Sequence, residues 1–234
     1  MNRRTFLAST GALSSVVLAG CQGGSGAGDG DPTDDTATAT PTGLPDHPAL
    51  AGIDDQPHLG PAPGDATATI VAFEDPSCPS CRRFEQEVMP QIESDLTSTG
   101  TATVVVRGYP VIYPWGEPAT RALEGVFAAD QAAFWSLWEH YFAEQDAFRS
   151  AGPDRVYART ETFLAEETDL DAAGIVERAD AGAFDPAVQT DLDAGEAAGA
   201  GRTTPHIFLF KDGAYQTKVQ GLVGFQLIKS ALDL

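Results

Sequence analysis

At 234 residues the chain is long enough for one domain of ordinary size with a sizeable core. Asp and Glu number 34 against 14 Lys and Arg, a formal net charge of −20, and the acidic excess is spread along the chain instead of gathered in a tail. No basic stripe is available to meet phosphates, which argues against nucleic acid as a partner.

The chain opens MNRRTFLAST, with Arg3-Arg4 followed by Thr5, Phe6 and Leu7, a pattern that resembles a twin-arginine export signal. The apolar stretch that follows, residues 12–19, is short, broken by Ser14 and Ser15 and flanked by Gly11 and Gly20. A membrane span takes about 20 apolar residues, so this is a leader and not a transmembrane helix. It ends Leu18-Ala19-Gly20-Cys21, which resembles a lipobox. In lipoproteins with that pattern the leader is cut before the cysteine, and the cysteine carries lipid. Residues 1–20 are therefore read as an export signal and Cys21 as the lipid attachment site. The reading puts the remainder outside the cytosol, anchored to the outer face of the cell membrane. It also gives a role to the odd member of the three cysteines Cys21, Cys78 and Cys81.

Residues 22–42 are built from Gly, Ser, Thr, Asp and Pro without apolar periodicity. Such a segment cannot bury enough surface to offset its ordering entropy. Residues 21–56 are read as a flexible, lipid-anchored tether, with Leu50, Ile53 and Leu59 as points that would pin its end to the domain. His47 and His58, in this stretch, read as solvated side chains and not ligands.

The domain proper is read as residues 57–234. Residues 67–73, TATIVAF, read as a buried strand, followed by Glu74 and Asp75. Then comes Cys78-Pro79-Ser80-Cys81, at the point where strand gives way to helix. Apolar residues at Cys81, Phe84, Val88 and Ile92 keep one helical face inward, and Pro79 suits a first helical turn. Pro90 should kink this helix by removing the bond to the Gln86 carbonyl. Residues 101–106, TATVVV, predict a second buried strand, parallel to the first and joined by a right-handed crossover. Helices are predicted over 119–129, 131–144, 155–165, 171–179 and 185–200. His140 lies among the aromatics of the second of these and reads as a packed residue. The β pattern returns at 206–210. Asp212-Gly213 marks a hairpin turn, 215–220 is the partner strand, and 225–232 a last helix.

A cysteine at a helix N-terminus meets unpaired backbone N–H groups and the positive end of the macrodipole, both of which favour thiolate over thiol. The spacing of Cys78 and Cys81 therefore points to a dithiol that exchanges with disulfides.

The order β-α-β, helices, β-β-α, with Cys-x-x-Cys at the first strand–helix junction and Thr204-Pro205 before the second β block, resembles the thioredoxin superfamily. The helical insertion, about residues 116–200, resembles its DsbA-like branch. The resemblance implies an α/β thioredoxin-like fold and a thiol–disulfide oxidoreductase with no bound cofactor and no metal. It implies Cys78 as the exposed nucleophile and Cys81 as the buried resolving thiol. Pro79 and Ser80 would tune the Cys78 thiolate. A cis bond before Pro205 would present the Thr204 backbone to an extended substrate. Glu74 is a candidate proton relay beside the buried thiol, or else only a strand-end carboxylate. The implied partners are exported proteins with thiols or disulfides, and a redox partner that resets the pair. The dipeptide is Pro-Ser where the strongest oxidants have Pro-His, which implies a less oxidising couple and leaves the direction of electron flow open. The dispersed acidic surface also resembles that of halophilic proteins.

Two other readings fit the same residues. In one, Cys78 and Cys81 hold copper or zinc in a thioredoxin-fold binding module, with His206 near enough to help. In the other, the domain is a chaperone without redox turnover.

Overall fold

The computed structural model describes residues 43–234. The export signal, Cys21 and the stretch 22–42 lie outside the described residues. The sheet comprises β1 (His58–Leu59), β2 (Ala68–Glu74), β3 (Ala102–Gly108), β4 (His206–Lys211) and β5 (Ala214–Gln220), in the spatial order β1-β3-β2-β4-β5. β2 and β3 are parallel, from Ala68 opposite Ala102 to Glu74 opposite Gly108. β4 pairs antiparallel with β2, placing His206 opposite Phe73. β5 folds back on β4 through Asp212 and Gly213, both at positive φ (50° and 72°), the conformation that a tight hairpin turn needs.

Between β2 and β3 run α1 (Pro79–Glu87) and α2 (Met89–Ile92). They are one helix broken at Val88, whose φ of −116° steps out of line where Pro90 offers no N–H to the Gln86 carbonyl. The kink read from Pro90 is therefore a full break. A π-helical turn, Glu93–Thr97, finishes the crossover. Then come α3 (Gly116–Phe127), α4 (Gln131–Ala143), α5 (Gln145–Ala151), α6 (Val156–Glu167), α7 (Ala172–Asp180) and α8 (Asp185–Ala197), and after the hairpin α9 (Phe225–Ala231). Asp130 caps α4 by accepting from the Ala133 N–H at 2.7 Å. The sequence reading had no α5 and no β1. α5 starts after a single non-helical residue, Glu144, and β1 has two residues, too few to show an alternation.

Strand alternation divides the core. Ile70, Ala72, Val104, Val106, Ile207 and Leu209 point to the face covered by α1, α2, α9 and most of the inserted helices. Val71, Phe73, Val105, Phe208 and Phe210 point to the face covered by α8 and the segment before β1.

That segment corrects the tether. Residues 44–56 belong to the domain, because Ala49, Leu50 and Ile53 are buried in the α8-side core. Arg107 donates to the Ala51 carbonyl, and Gln56 Nε2 donates to Asp191 Oδ1 at 3.0 Å. His47 is likewise not a solvated side chain. Its ring stacks on Tyr215 with centroids 4.7 Å apart, and its Nδ1 accepts from the Ala49 N–H. His58 Nδ1 lies 3.3 Å from the Gln56 carbonyl. Among the described residues no helix is long and apolar enough to cross a membrane.

Candidate active site

The loop that carries β2 into α1 is held from three sides. Asp75 Oδ1 accepts from the Ser77 N–H (2.7 Å) and hydroxyl (2.6 Å), an Asx-type turn closed on itself. Asp75 Oδ2 accepts from the Ile112 N–H at 2.7 Å, and the Tyr113 N–H donates to Ser77 Oγ at 3.0 Å. Gln145, the first residue of α5, donates through Nε2 to the carbonyls of Pro76 (2.9 Å) and Cys78 (3.0 Å). Gly116 sits so close that a Cβ there would lie 2.4 Å from Asp75 Oδ1. Burial pushes the Asp75 pKa up, and the hydrogen bonds from Ser77, Ile112 and Val111 oppose that.

Cys78 is the N-cap of α1 and Cys81 lies in its first turn. The two are free thiols; Cys78 is 4% exposed and Cys81 is sealed at 0%. The Cys78 thiol is pulled down to about 6. The largest cause is a hydrogen bond from the Cys81 thiol to the Cys78 sulfur. Burial works against it, and Thr204 and the backbone N–H groups of Cys81 and Ser80 add to it. Cys81 moves the other way, well above the usual thiol value, first because it is buried and then through Cys78 and Glu74. The acidic thiol is thus the one that reaches the surface, and the thiol that keeps its proton is the one beneath it.

The Thr204–Pro205 peptide bond is cis, and the Thr204 carbonyl accepts from the Cys78 thiol at 3.4 Å. Thr204 Oγ1 is buried with no hydrogen-bond partner, and Thr204 helps to lower the Cys78 thiol. Pro79 is exposed and Ser80 half-buried, so this edge of α1 faces solvent.

Glu74 ends β2 on the α1 side of the sheet, in step with Ile70 and Ala72. It is 0% exposed, and neither carboxyl oxygen has a partner within ordinary hydrogen-bond geometry. Its carboxyl faces Glu85, Cys78 and Cys81, and burial raises its pKa well above the usual carboxylate range.

His206 goes elsewhere. It shares the face of Phe208 and Phe210, opposite the one that α1 covers, and its Nε2 lies 2.9 Å from Thr203 Oγ1. The sequence expectation that it could approach the cysteines as a ligand is overturned by strand parity. Among the described residues no group of three or more His, Cys, Asp or Glu side chains is placed to hold a metal ion. His140 packs flat on Phe163 with centroids 4.0 Å apart.

The structure therefore brings Glu74, Cys78, Cys81, Thr204 and Pro205 together, with Pro79 and Ser80 at the rim. Sequence reading missed Asp75, Ser77, Glu85 and Gln145. Asp-x-Ser before a helix is a turn signal, and Glu85 stands four residues after Cys81, so both had local cues. Gln145 had none, because its partners lie 67 and 69 residues away.

Residues 54–219 match the family model described as thioredoxin. Over 98 residues the chain is 32% identical to disulfide bond formation protein D of Bacillus subtilis, covering 42% of this chain and 42% of that protein. Over 81 residues it is 26% identical to the probable disulfide bond formation protein D of Bacillus anthracis, covering 35% of this chain and 37% of that protein. The match thus spans about two fifths of these relatives' length. The crystal structure of oxidised BdbD from Bacillus subtilis superposes with a TM-score of 0.64 at 24% identity, covering 82% of this chain and 95% of that one. The DsbA of Chlamydia trachomatis gives 0.61 at 21% identity, covering 76% of this chain and 90% of that one. With well over half its length matched by the family model, the chain belongs to the thioredoxin family, and its fold is the DsbA-like form with a helical insertion.

Proposed function

We propose that the protein is a thiol–disulfide oxidoreductase that exchanges a Cys78–Cys81 disulfide with thiols or disulfides of exported proteins. The observation that carries this reading is the split between the two thiols, an acidic Cys78 at the N-cap of α1 over a buried, proton-retaining Cys81. A substrate thiolate attacks Cys78 of the oxidised pair, and Cys81 leaves and takes a proton. A second substrate thiolate then attacks the mixed disulfide and releases Cys78 as the thiolate. Two electrons pass from substrate to the pair. Thr204 steadies the Cys78 sulfur, and its backbone offers an extended substrate a strand to pair with. Pro79 and Ser80 form the rim that the substrate meets, and Glu74 exchanges the proton with Cys81.

The relatives named for disulfide bond formation support the oxidising direction. A Cys78 pKa of about 6 lies between the values of about 7 for thioredoxin and about 3.5 for DsbA. The couple should accordingly lie between roughly −270 and −120 mV. The lipobox pattern at Cys21 and the twin-arginine pattern support a lipid-anchored protein outside the cytosol, where substrate disulfides persist. A second redox protein must reset the pair.

A glutathione redox titration of the pair tests the couple, and Cys81→Ser tests the exchange by trapping mixed disulfides with exported proteins. The expected results are a couple inside that window and trapped partners that a reductant releases. A pair that never forms a disulfide, or a Cys81→Ser protein that traps nothing, would sink the proposal.

A further inference from the structure

One side of α5 grips the elements around the two cysteines. Gln145, Asp146 and Arg149 stand on it at i, i+1 and i+4. Asp146 pairs with Arg82 of α1 at 3.0 Å, and the Arg149 guanidinium lies 4.9 Å from the centre of the Tyr113 ring. Asp146 and Arg149 are exposed, whereas Gln145 is buried. Both N–H groups of the Gln145 amide are taken by the active-site loop, at the Pro76 carbonyl (2.9 Å) and the Cys78 carbonyl (3.0 Å). Asp75 holds the same loop by accepting from N–H groups, and Gln145 holds it by donating to carbonyls.

The Cys78 carbonyl already accepts the first bond of α1, from the Arg82 N–H at 3.0 Å, so Gln145 fills its second lone pair. That carbonyl belongs to the residue that carries the reactive sulfur. With one donor missing, its negative end would oppose a thiolate more strongly; the second donor offsets that opposition. The same bonds hold Cys78 at φ −82° and ψ 122°, the N-cap conformation in which its sulfur meets the N–H groups of Ser80 and Cys81.

We propose that Gln145 is a positioning residue for disulfide exchange: reaching in from the helical insertion, its two N–H bonds fix the Pro76–Cys78 turn and favour the thiolate of Cys78. The proposal rests on the oxidoreductase reading above, in which Cys78 leaves as the thiolate when the mixed disulfide is resolved, and a more acidic thiol leaves faster. The titratable groups that face its sulfur are Cys81 on α1 and Glu74 at the end of β2, and the Arg82–Asp146 pair lies one turn further along α1. Among the described residues Gln145 hydrogen-bonds to none of these side chains, so its effect runs through the backbone of the loop.

The test compares wild type with two variants. Gln145→Met keeps the length of the side chain and loses both donors. Phe148→Leu loosens α5 where Phe148 stacks on Trp115, with ring centroids 5.5 Å apart, and leaves the donors in place. Thiolate absorbance of the reduced protein gives the Cys78 midpoint, and a glutathione titration gives the equilibrium of the pair. Gln145→Met should raise the midpoint by about 0.5–1 pH unit, the share of one hydrogen bond. A less stable thiolate destabilises the reduced form, so at pH 7 the equilibrium with glutathione should shift about threefold to fivefold toward the disulfide. Phe148→Leu should lower the urea midpoint of unfolding and leave both of those readings unchanged. Gln145→Met with the wild-type midpoint and equilibrium would overturn the proposal. So would Phe148→Leu moving both as far as Gln145→Met does, because the effect would then be one of packing. Should Gln145→Met fail to fold, NMR of the wild type decides: the Gln145 Nε2 protons should exchange slowly with solvent and change shift as Cys78 titrates, and protons that do neither overturn the proposal. Wild-type protein that exchanges no disulfide would defeat the oxidoreductase reading itself, a failure separate from the Cys78 titration.

Discussion

Cys78 and Cys81 stand three residues apart and differ in acidity because the Cys78 sulfur accepts from the Cys81 thiol, with smaller help from Thr204 and the N-terminal N–H groups of α1, while Cys81 is sealed beneath it. The acidic thiol gives a pH signature whose sign can be worked out. The folded pKa of Cys78 is lowered from 9.0 to about 6. Stabilisation of the reduced form by the thiolate is therefore lost as pH falls through 6, grows between 6 and 9, and is complete above 9. Urea unfolding of the reduced protein should favour wild type over Cys78→Ser by roughly 2 kcal/mol more at pH 8 than at pH 5. Thiolate absorbance of the reduced protein should titrate with a midpoint near 6. A midpoint near 9 would remove the physical basis of the split between the two thiols. The cysteine pair was legible in the sequence because its chemistry is local, a cap and the first turn of one helix. Glu74 was legible only through the family resemblance, beside the alternative of a strand-end carboxylate; its place on the α1 face of β2 came from the fold. What it faces was not legible, because Glu85 becomes its neighbour only when α1 folds back over β2.

The active-site loop is an element positioned by other elements. Asp75 ties it to the stretch before α3, Gln145 ties it to α5, and Gly116 leaves room for Asp75. Gly116→Ala would push its Cβ into Asp75 Oδ1 and should cost about 1–3 kcal/mol by overpacking. Gln145→Ala strips the Pro76 carbonyl of its donor and should cost about 1–2 kcal/mol. Both costs are readable as a lower urea midpoint at unchanged slope. Neither variant removes a sulfur, so the Cys78–Cys81 disulfide should still form in both. Helix and strand identities were legible wherever periodicity ran for two turns or more. They failed at β1 and α5. Their ends are fixed by partners, Val104 and Val105 for β1 and the loop carbonyls for α5, which no local pattern announces.

At the scale of the molecule, the α8 face is closed by a buried ion pair. Arg107, from the end of β3, donates to Asp191 Oδ1 on α8 at 2.7 Å, and both side chains are 0% exposed. The Gly108 N–H donates to Asp191 Oδ2, Gln56 Nε2 to its Oδ1, and Arg107 reaches on to the Ala51 carbonyl. Strand, helix and N-terminal segment therefore meet at one pair of charges. Asp191→Leu leaves Arg107 buried and unpaired and should cost about 3–5 kcal/mol in thermal or urea unfolding. Arg107→Met combined with Asp191→Leu should recover most of that loss. A double variant as unstable as the single one would mean that the pair stabilises through more than the cost of an unpaired charge.

From the sequence alone came the dithiol at a strand–helix junction, the split α/β order, the helical insertion and a kink at Pro90, because each is written in neighbouring residues or in a period of two or 3.6. The extent of the tether was misjudged, because Gly, Asp and Pro around Leu50 and Ile53 look like linker until the α8 side of the sheet offers them a place to bury. Tertiary structure alone decided which carboxyl faces Glu74, which face His206 takes, what holds the active-site loop, and how Arg107 finds Asp191 across 84 residues. Those are contacts between elements, and their energies come from burial and desolvation, which a chain has only once it is folded.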